Sequence, residues 1–184
     1  MSQPLPEILT RNQFYERTMP TVAAMVPGYQ LETGFVFLGL VSVYDRLTSH
    51  FDRRLSSYRL TLASFNLLMI LNSPTYRETG CPMSQLGELL LVSKANVTGL
   101  TDTLERKGLV KRVNADYDRR VKLIRITEEG RALLAEVAPW HFQEVNRVAA
   151  HIPLEQRAQL VVALRNLNDQ IGSALEADDD GPKK

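Results

Sequence analysis

Lys94, Asn96, Thr98 and Thr101 place a cation, an amide and two hydroxyls on the opening turns of one segment, SKANVTGLTDTLERKG (93–108). Such groups can reach base edges in a major groove. Asn pairs with adenine and Lys with guanine, each good bidentate pair being worth about 1–3 kcal/mol of discrimination. Ser93 precedes them as the N-cap and completes the candidate contact set. Shortly after, DYDRR (116–120) brings Arg119 and Arg120, whose guanidinium groups suit phosphate or a narrow minor groove. Asp118 and Arg120 would share one side of an extended segment, so the carboxylate can hold that guanidinium.

A helix must carry the first group. Val97, Leu100 and Leu104 recur at i, i+3 and i+7 and predict a narrow buried stripe under the polar head. Asp102 and Arg106 are spaced to pair at i, i+4. Gly108 sits where a left-handed stop belongs, with Leu109 placed to touch Leu104. Ser84 is the expected cap of a shorter helix just before, carrying Leu86, Leu89 and Leu90. Two short helices with a tight turn, the second polar at its head, form a helix-turn-helix. Leu109–Asn114 and Val121–Thr127 then read as a two-stranded hairpin around the charged tip.

Around this unit the chain is helical. Residues 31–57 form a long helix whose first half, FVFLGLVSVY, is apolar nearly all round, so one end should enter a subunit interface. Thr61 caps a helix over 62–72, with Phe65, Leu68, Met69 and Asn72 on one packed face. Thr127 opens a helix to about 150, and Pro153 opens the last one, where Leu160, Leu164, Leu167 and Ile171 recur at near-heptad spacing. Residues 1–30 hold four of the nine prolines and read as an extended arm with one short helix. The expected fold class is mainly α: a winged helix-turn-helix with a two-stranded β wing and N- and C-terminal dimerisation helices. Its parts are an N-terminal extension (1–30), a helical dimerisation region (31–60 and 128–175), a winged helix-turn-helix (61–127) and a flexible tail (176–184).

Charge is distributed to match. The chain carries +1 overall, yet residues 93–125 hold nine Lys/Arg against four acids, a local +5 that leaves −4 elsewhere. A basic surface on a near-neutral protein is the footprint of a nucleic-acid reader. No basic-then-apolar leader opens the chain, and the apolar run Phe35–Tyr44 is too short for a membrane span of roughly 20 residues. A soluble, cytoplasmic protein without a membrane partner is expected.

Other chemistries find little support. The single cysteine, Cys81, excludes an internal disulfide framework and fits a reducing compartment. As a redox switch it lacks a neighbour that would lower its pKa. His50, His141 and His151 lack metal-ligand spacing with one another or with Cys81. Gly34 and Gly39 lie inside an apolar helix rather than in a phosphate loop, and no nucleophile–base constellation is visible. No cofactor, no metal and no enzymatic activity are expected.

The string LVSKANVTGL…LERKGLVKR, followed by DRR and IRITEEG, resembles the MarR family of bacterial transcription regulators. The resemblance extends over about 35–172 in helix order and is most specific over 84–130. It implies a homodimer whose terminal helices join two reading heads on a palindromic operator in double-stranded DNA, most simply as a repressor. It places Lys94, Asn96 and Thr98 on the major-groove side and Asp118 and Arg120 on the wing. It also implies control by a small aromatic or phenolic ligand between the dimerisation helices and the winged helix. Tyr44, Arg46, His50, Arg54 and Phe65 are the candidates, since they combine aromatic and cationic groups near that junction. Two alternatives stay open: a winged helix that docks a protein, and a redox-responsive regulator acting through Cys81.

Overall fold

The computed structural model describes residues 8–115, 118 and 120–178; over 172–178 only the helical backbone is described. Arg119 and the tail beyond 178 therefore lie outside the described residues. Among the described residues seven α-helices and three strands follow one another: α1 (Arg11–Met25), α2 (Leu31–Leu55), α3 (Leu62–Leu71), β1 (Cys81–Pro82), α4 (Met83–Leu90), α5 (Lys94–Arg106), β2 (Val110–Asn114), β3 (Lys122–Ile126), α6 (Glu128–Ala149) and α7 (Leu154–Asp178).

The core lies where α3, α4, α5, the sheet and the first half of α6 converge. Leu67, Leu68, Leu71, Leu86, Val97, Leu104, Ile124 and Val137 are fully buried there. α3 supplies so much of it because LASFNLLMIL has apolar side chains nearly all round; Thr61 caps it by accepting the Ser64 N–H at 3.1 Å. Asp52, from α2, accepts the Leu62 N–H at 2.6 Å and so ties the long helix to the start of α3. α2 is also tied to α6, where His50 Nε2 meets Glu144 Oε1 at 2.6 Å.

Local chemistry sets several boundaries as expected. Ser93 accepts the Asn96 N–H at the head of α5, and Thr127 accepts the Gly130 N–H at the head of α6. Gly108, at φ +72°, stops α5: its N–H reaches the Glu105 carbonyl and the Leu109 N–H the Leu104 carbonyl, the paired bonds of a Schellman stop. Gly130 is required for another reason. A Cβ there would lie 2.2 Å from the Leu109 carbonyl oxygen, so its absence lets α6 start against the strand.

Four expectations need correction. The sheet has three strands in the order β1-β3-β2, because Cys81–Pro82 pairs with β3 opposite Ile124 and Leu123. Two residues are too short to show a period, so the segment reads as loop in sequence. Pro82, not Ser84, occupies the N-cap of α4, with no side-chain cap. The N-terminal arm is mostly helix: α1 spans 15 residues, opened by a capping box between Thr10 and Gln13 and carrying Pro20 within it. Finally, Asp102 does not pair with the Arg106 guanidinium; Arg106 Nε reaches the Asp102 carbonyl, and the carboxylate goes elsewhere.

Candidate nucleic-acid interface

α4 and α5 meet through a tight turn in which Leu91 takes a left-handed conformation, φ 53°. The turn leaves the first residues of α5 at the surface. Ser93, Lys94, Asn96 and Thr98 are exposed, while Val97 between them is fully buried. The buried stripe thus fixes the rotation of the helix and turns its polar head outward. Thr98 donates its hydroxyl hydrogen to the Lys94 carbonyl at 3.0 Å, which leaves the oxygen lone pairs and the methyl group facing outward. The unpaired N–H groups and dipole of the helix start add a positive end beside Lys94.

Thr101 departs from the expected set. It is fully buried, donates to the Val97 and Thr98 carbonyls at 2.9 Å each, and accepts from Arg112 at 2.9 Å. One full turn below the head, it faces the sheet and cannot touch a base edge.

Arg112 is the residue that sequence reasoning missed. Its guanidinium meets Thr101, Asp102 and Glu105 of α5, and its backbone N–H donates to Glu105 at 3.0 Å. Asp102 first, then Glu105, stabilise its charge and raise its pKa. The first strand of the wing is thereby pinned to the recognition helix by one planar fork. A signal existed: an Arg facing two acids three residues apart on the preceding helix. The readings of Asp102 with Arg106, and of Arg112 as part of the basic surface, hid it. Lys107 is similarly drawn to the Arg59 carbonyl. The exposed cations are fewer than the count implies: Lys94, Arg106, Lys107, Lys111, Arg120 and Lys122 among the described residues.

At the tip of the wing, Asp118 and Arg120 are both exposed. The Asp118 carboxylate accepts the Arg120 backbone N–H at 2.8 Å, and its carbonyl accepts the Val121 N–H at 2.9 Å. Arg120 lies in a turn rather than in extended chain, and the carboxylate holds its backbone N–H while its side chain stays exposed.

The five candidate ligand residues do not form one site. Phe65 is core, 1% exposed, with its ring 4.3 Å from that of His141. Arg46, His50 and Arg54 form one i, i+4, i+8 stripe of α2. His50 on that stripe is bound to Glu144, whose pKa is held at about 2 by Arg147 and, less strongly, by His50. Arg54 lies over the Trp140 ring at 5.3 Å. Tyr44 alone lines a cleft, of about 210 Å³, with Thr48, Asp52, Thr61, Leu62, Ala63, Asn66, Leu90 and Val92.

Cys81, in β1 beside β3, is fully buried, and burial pushes its thiol up to about 11, against a hydrogen bond from Tyr76 that lowers it. A thiol so disposed is a poor nucleophile. Among the described residues no group of three or more His, Cys, Asp or Glu could hold a metal ion, and no helix is long and apolar enough to cross a membrane.

A three-stranded sheet against a helix-turn-helix, with the second helix presenting a polar head, defines a winged-helix DNA-binding protein. Residues 60–122 match the profile of the MarR family. The chain is 28% identical over 121 residues to the HTH-type transcriptional regulator MhqR of Bacillus subtilis, covering 66% of this chain and 81% of that one. It is 27% identical over 136 residues to the HTH-type transcriptional repressor YetL of the same organism, covering 74% and 80%. Bordetella bronchiseptica BpsR, whose DNA binding is described as regulated by 6-hydroxynicotinic acid, superposes with a TM-score of 0.65 at 25% identity, over 73% of this chain and 93% of that one. Residues 60–122 carry the likeness to the MarR family, and the chain is a DNA-binding transcriptional regulator similar in sequence and fold to members of that family.

Proposed function

We propose that this protein is a repressor that binds a palindromic operator as a homodimer, and that a small aromatic ligand tunes its grip. The observation that carries the reading is the head of α5, where Lys94, Asn96 and Thr98 stand exposed above a fully buried Val97. Lys94 and Asn96 address base edges, Thr98 offers a methyl and an acceptor, and Ser93 anchors the helix start near phosphate. Arg120, and Arg119 beside it in sequence, serve the backbone or minor groove.

The helices outside the winged unit support the dimer. α7 has no buried residue among those whose side chains are described, yet it displays Leu154, Leu160, Val161, Val162, Leu164 and Ile171. The first half of α2 exposes Phe35, Val36, Phe37, Leu40 and Val43. An apolar surface of this extent on a lone chain marks an association face. Regions 31–60 and 128–175 build that face, the extension 1–30 flanks it through α1, and the unit 61–127 is the reading head.

The cleft between α2 and the helix-turn-helix supports the ligand. Its wall includes Val92, and Ser93, the cap of the recognition helix, is the next residue. Filling the cleft would shift α5 relative to α2, and so the spacing of two heads that must match grooves roughly 34 Å apart. A ligand acts only through its differential affinity for the two spacings.

Fluorescence anisotropy against the DNA upstream of the gene and a scrambled duplex, at two salt concentrations, tests the reading. Tight, salt-sensitive preference for the upstream DNA is the expected result. Equal, weak, salt-insensitive binding to both would favour a protein-docking winged helix instead.

A further inference from the structure

α2 carries two stripes of opposite character. Arg46, His50 and Arg54 follow one another at four-residue spacing, and so do Tyr44, Thr48 and Asp52. Two residues along a helix turn the side chain by about 200°, so the two stripes lie on opposite faces. The second stripe lines the 210 Å³ cleft; the first does not. Arg46, His50 and Arg54 are therefore turned away from the cleft, two of them engaged with α6 through Glu144 and Trp140, and Arg53, beside Asp52 in sequence, is not in its lining.

What remains around the cleft is distinctive. The lining holds the hydroxyls of Tyr44, Thr48 and Thr61, the Asn66 amide and the Asp52 carboxylate, with Leu62, Ala63, Leu90 and Val92 as apolar wall. Among the described residues, the lining contains no Lys, Arg or His. Asp52 Oδ1 is engaged with the Leu62 N–H, while Oδ2 has no hydrogen-bond partner among the described residues. The volume exceeds the roughly 150 Å³ of a cavity that admits a benzene ring.

Resting on the reading that a small ligand tunes DNA binding, we propose that Asp52 is a charge filter: the cleft takes an uncharged, hydroxylated single-ring compound and rejects the corresponding carboxylate. A ring fits between Leu62, Leu90 and Val92. Its hydroxyl or amide hydrogens donate to Asp52 Oδ2 and the Asn66 carbonyl, and its acceptors meet the Tyr44 and Thr48 hydroxyls, the Thr61 hydroxyl being engaged with Ser64. An anionic ligand would set two carboxylates together in a half-enclosed space with no cation to offset them.

The test uses 4-hydroxybenzamide and 4-hydroxybenzoate, which match in size and differ in charge. Each is titrated into the full-length protein by calorimetry and into its DNA complex by anisotropy. The wild type is expected to bind the amide at least about tenfold more tightly than the carboxylate and to release DNA with it. Asp52→Asn keeps an acceptor for the Leu62 N–H and should collapse that ratio to within a few-fold. Asn66→Asp, at an exposed position with no capping duty, should widen it, and so tests the idea even if Asp52→Asn folds poorly.

A carboxylate that binds the wild type as tightly as the amide and releases DNA would overturn the charge filter while leaving ligand control intact. Unchanged discrimination in both variants would remove Asp52 from the role. If neither compound binds, ligand control through this cleft falls, and the filter with it.

Discussion

The winged-helix half and the helical arms of this molecule differ in how complete they are within one chain. In the former, Leu67, Leu71, Leu86, Val97, Leu104 and Ile124 are fully buried, and Arg112 has three side-chain partners on α5. In the latter, α7 buries nothing among its described side chains, and the first half of α2 leaves Val36, Phe37 and Val43 exposed. The head is finished by its own contacts; the arms leave apolar faces that a second copy covers in the proposed dimer. In the proposed dimer, such a division lets the distance between the heads change without rebuilding either one.

The comparison breaks most readily on α7. Leu164→Glu would place a charge on each side of the proposed twofold interface. With about 1.5 kcal/mol lost per buried side chain and two copies, dimerisation should weaken by about 100-fold or more, and operator binding with it. Sedimentation velocity and anisotropy check this. An intact dimer would mean that α7 is not the face that joins the copies.

Within the head, smaller effects separate reading from positioning. Asn96→Ala should cost about 1–3 kcal/mol on the operator and relax base preference; equal loss on every sequence would remove it from base readout. Arg112→Ala should weaken DNA binding without touching DNA, by freeing the wing from α5. A double-mutant cycle with Arg120→Ala sharpens this: coupling of at least about 0.5 kcal/mol shows that Arg112 acts through the wing tip, and additivity would make the two independent.

The smallest effect concerns the contact between the two halves. His141 of α6 is 7% exposed, packs against Phe51 and Phe65, and its Nδ1 has no hydrogen-bond partner among the described residues. Burial lowers its pKa from 6.5. The unfolded chain therefore binds a proton that the folded chain resists, so stability falls as pH drops below 6.5 and levels off above it. Glu144 acts at lower pH: its stabilisation is present above 4.5 and is lost as pH falls towards about 2. Thermal melts between about pH 5 and 8 should show His141→Phe with a flatter slope than the wild type. An unchanged slope would mean that His141 does not titrate with folding.

Features governed by near neighbours in the chain were legible from sequence. The Ser93, Thr61 and Thr127 caps, the Gly108 stop and the buried Val97–Leu104 stripe all depend on residues at most seven apart. The strand pair Val110–Asn114 with Lys122–Ile126 was legible for the same reason, its β-branched runs flanking a short polar tip. Tertiary packing decided the rest. Periodicity says which residues share a face, but not which neighbour covers that face. Thr101 belongs in sequence to the polar head, yet β2 and Arg112 lie over it. Tyr44, Arg46, His50 and Arg54 look like one cluster of aromatic and cationic groups, yet α6 takes one stripe of α2 and the cleft takes the other. Cys81–Pro82 becomes a strand only because β3 lies beside it. The chain alone set the local turns and caps, since their hydrogen bonds close over a few residues. The cleft and the Arg112 clamp exist only once segments distant in sequence are brought together by the core.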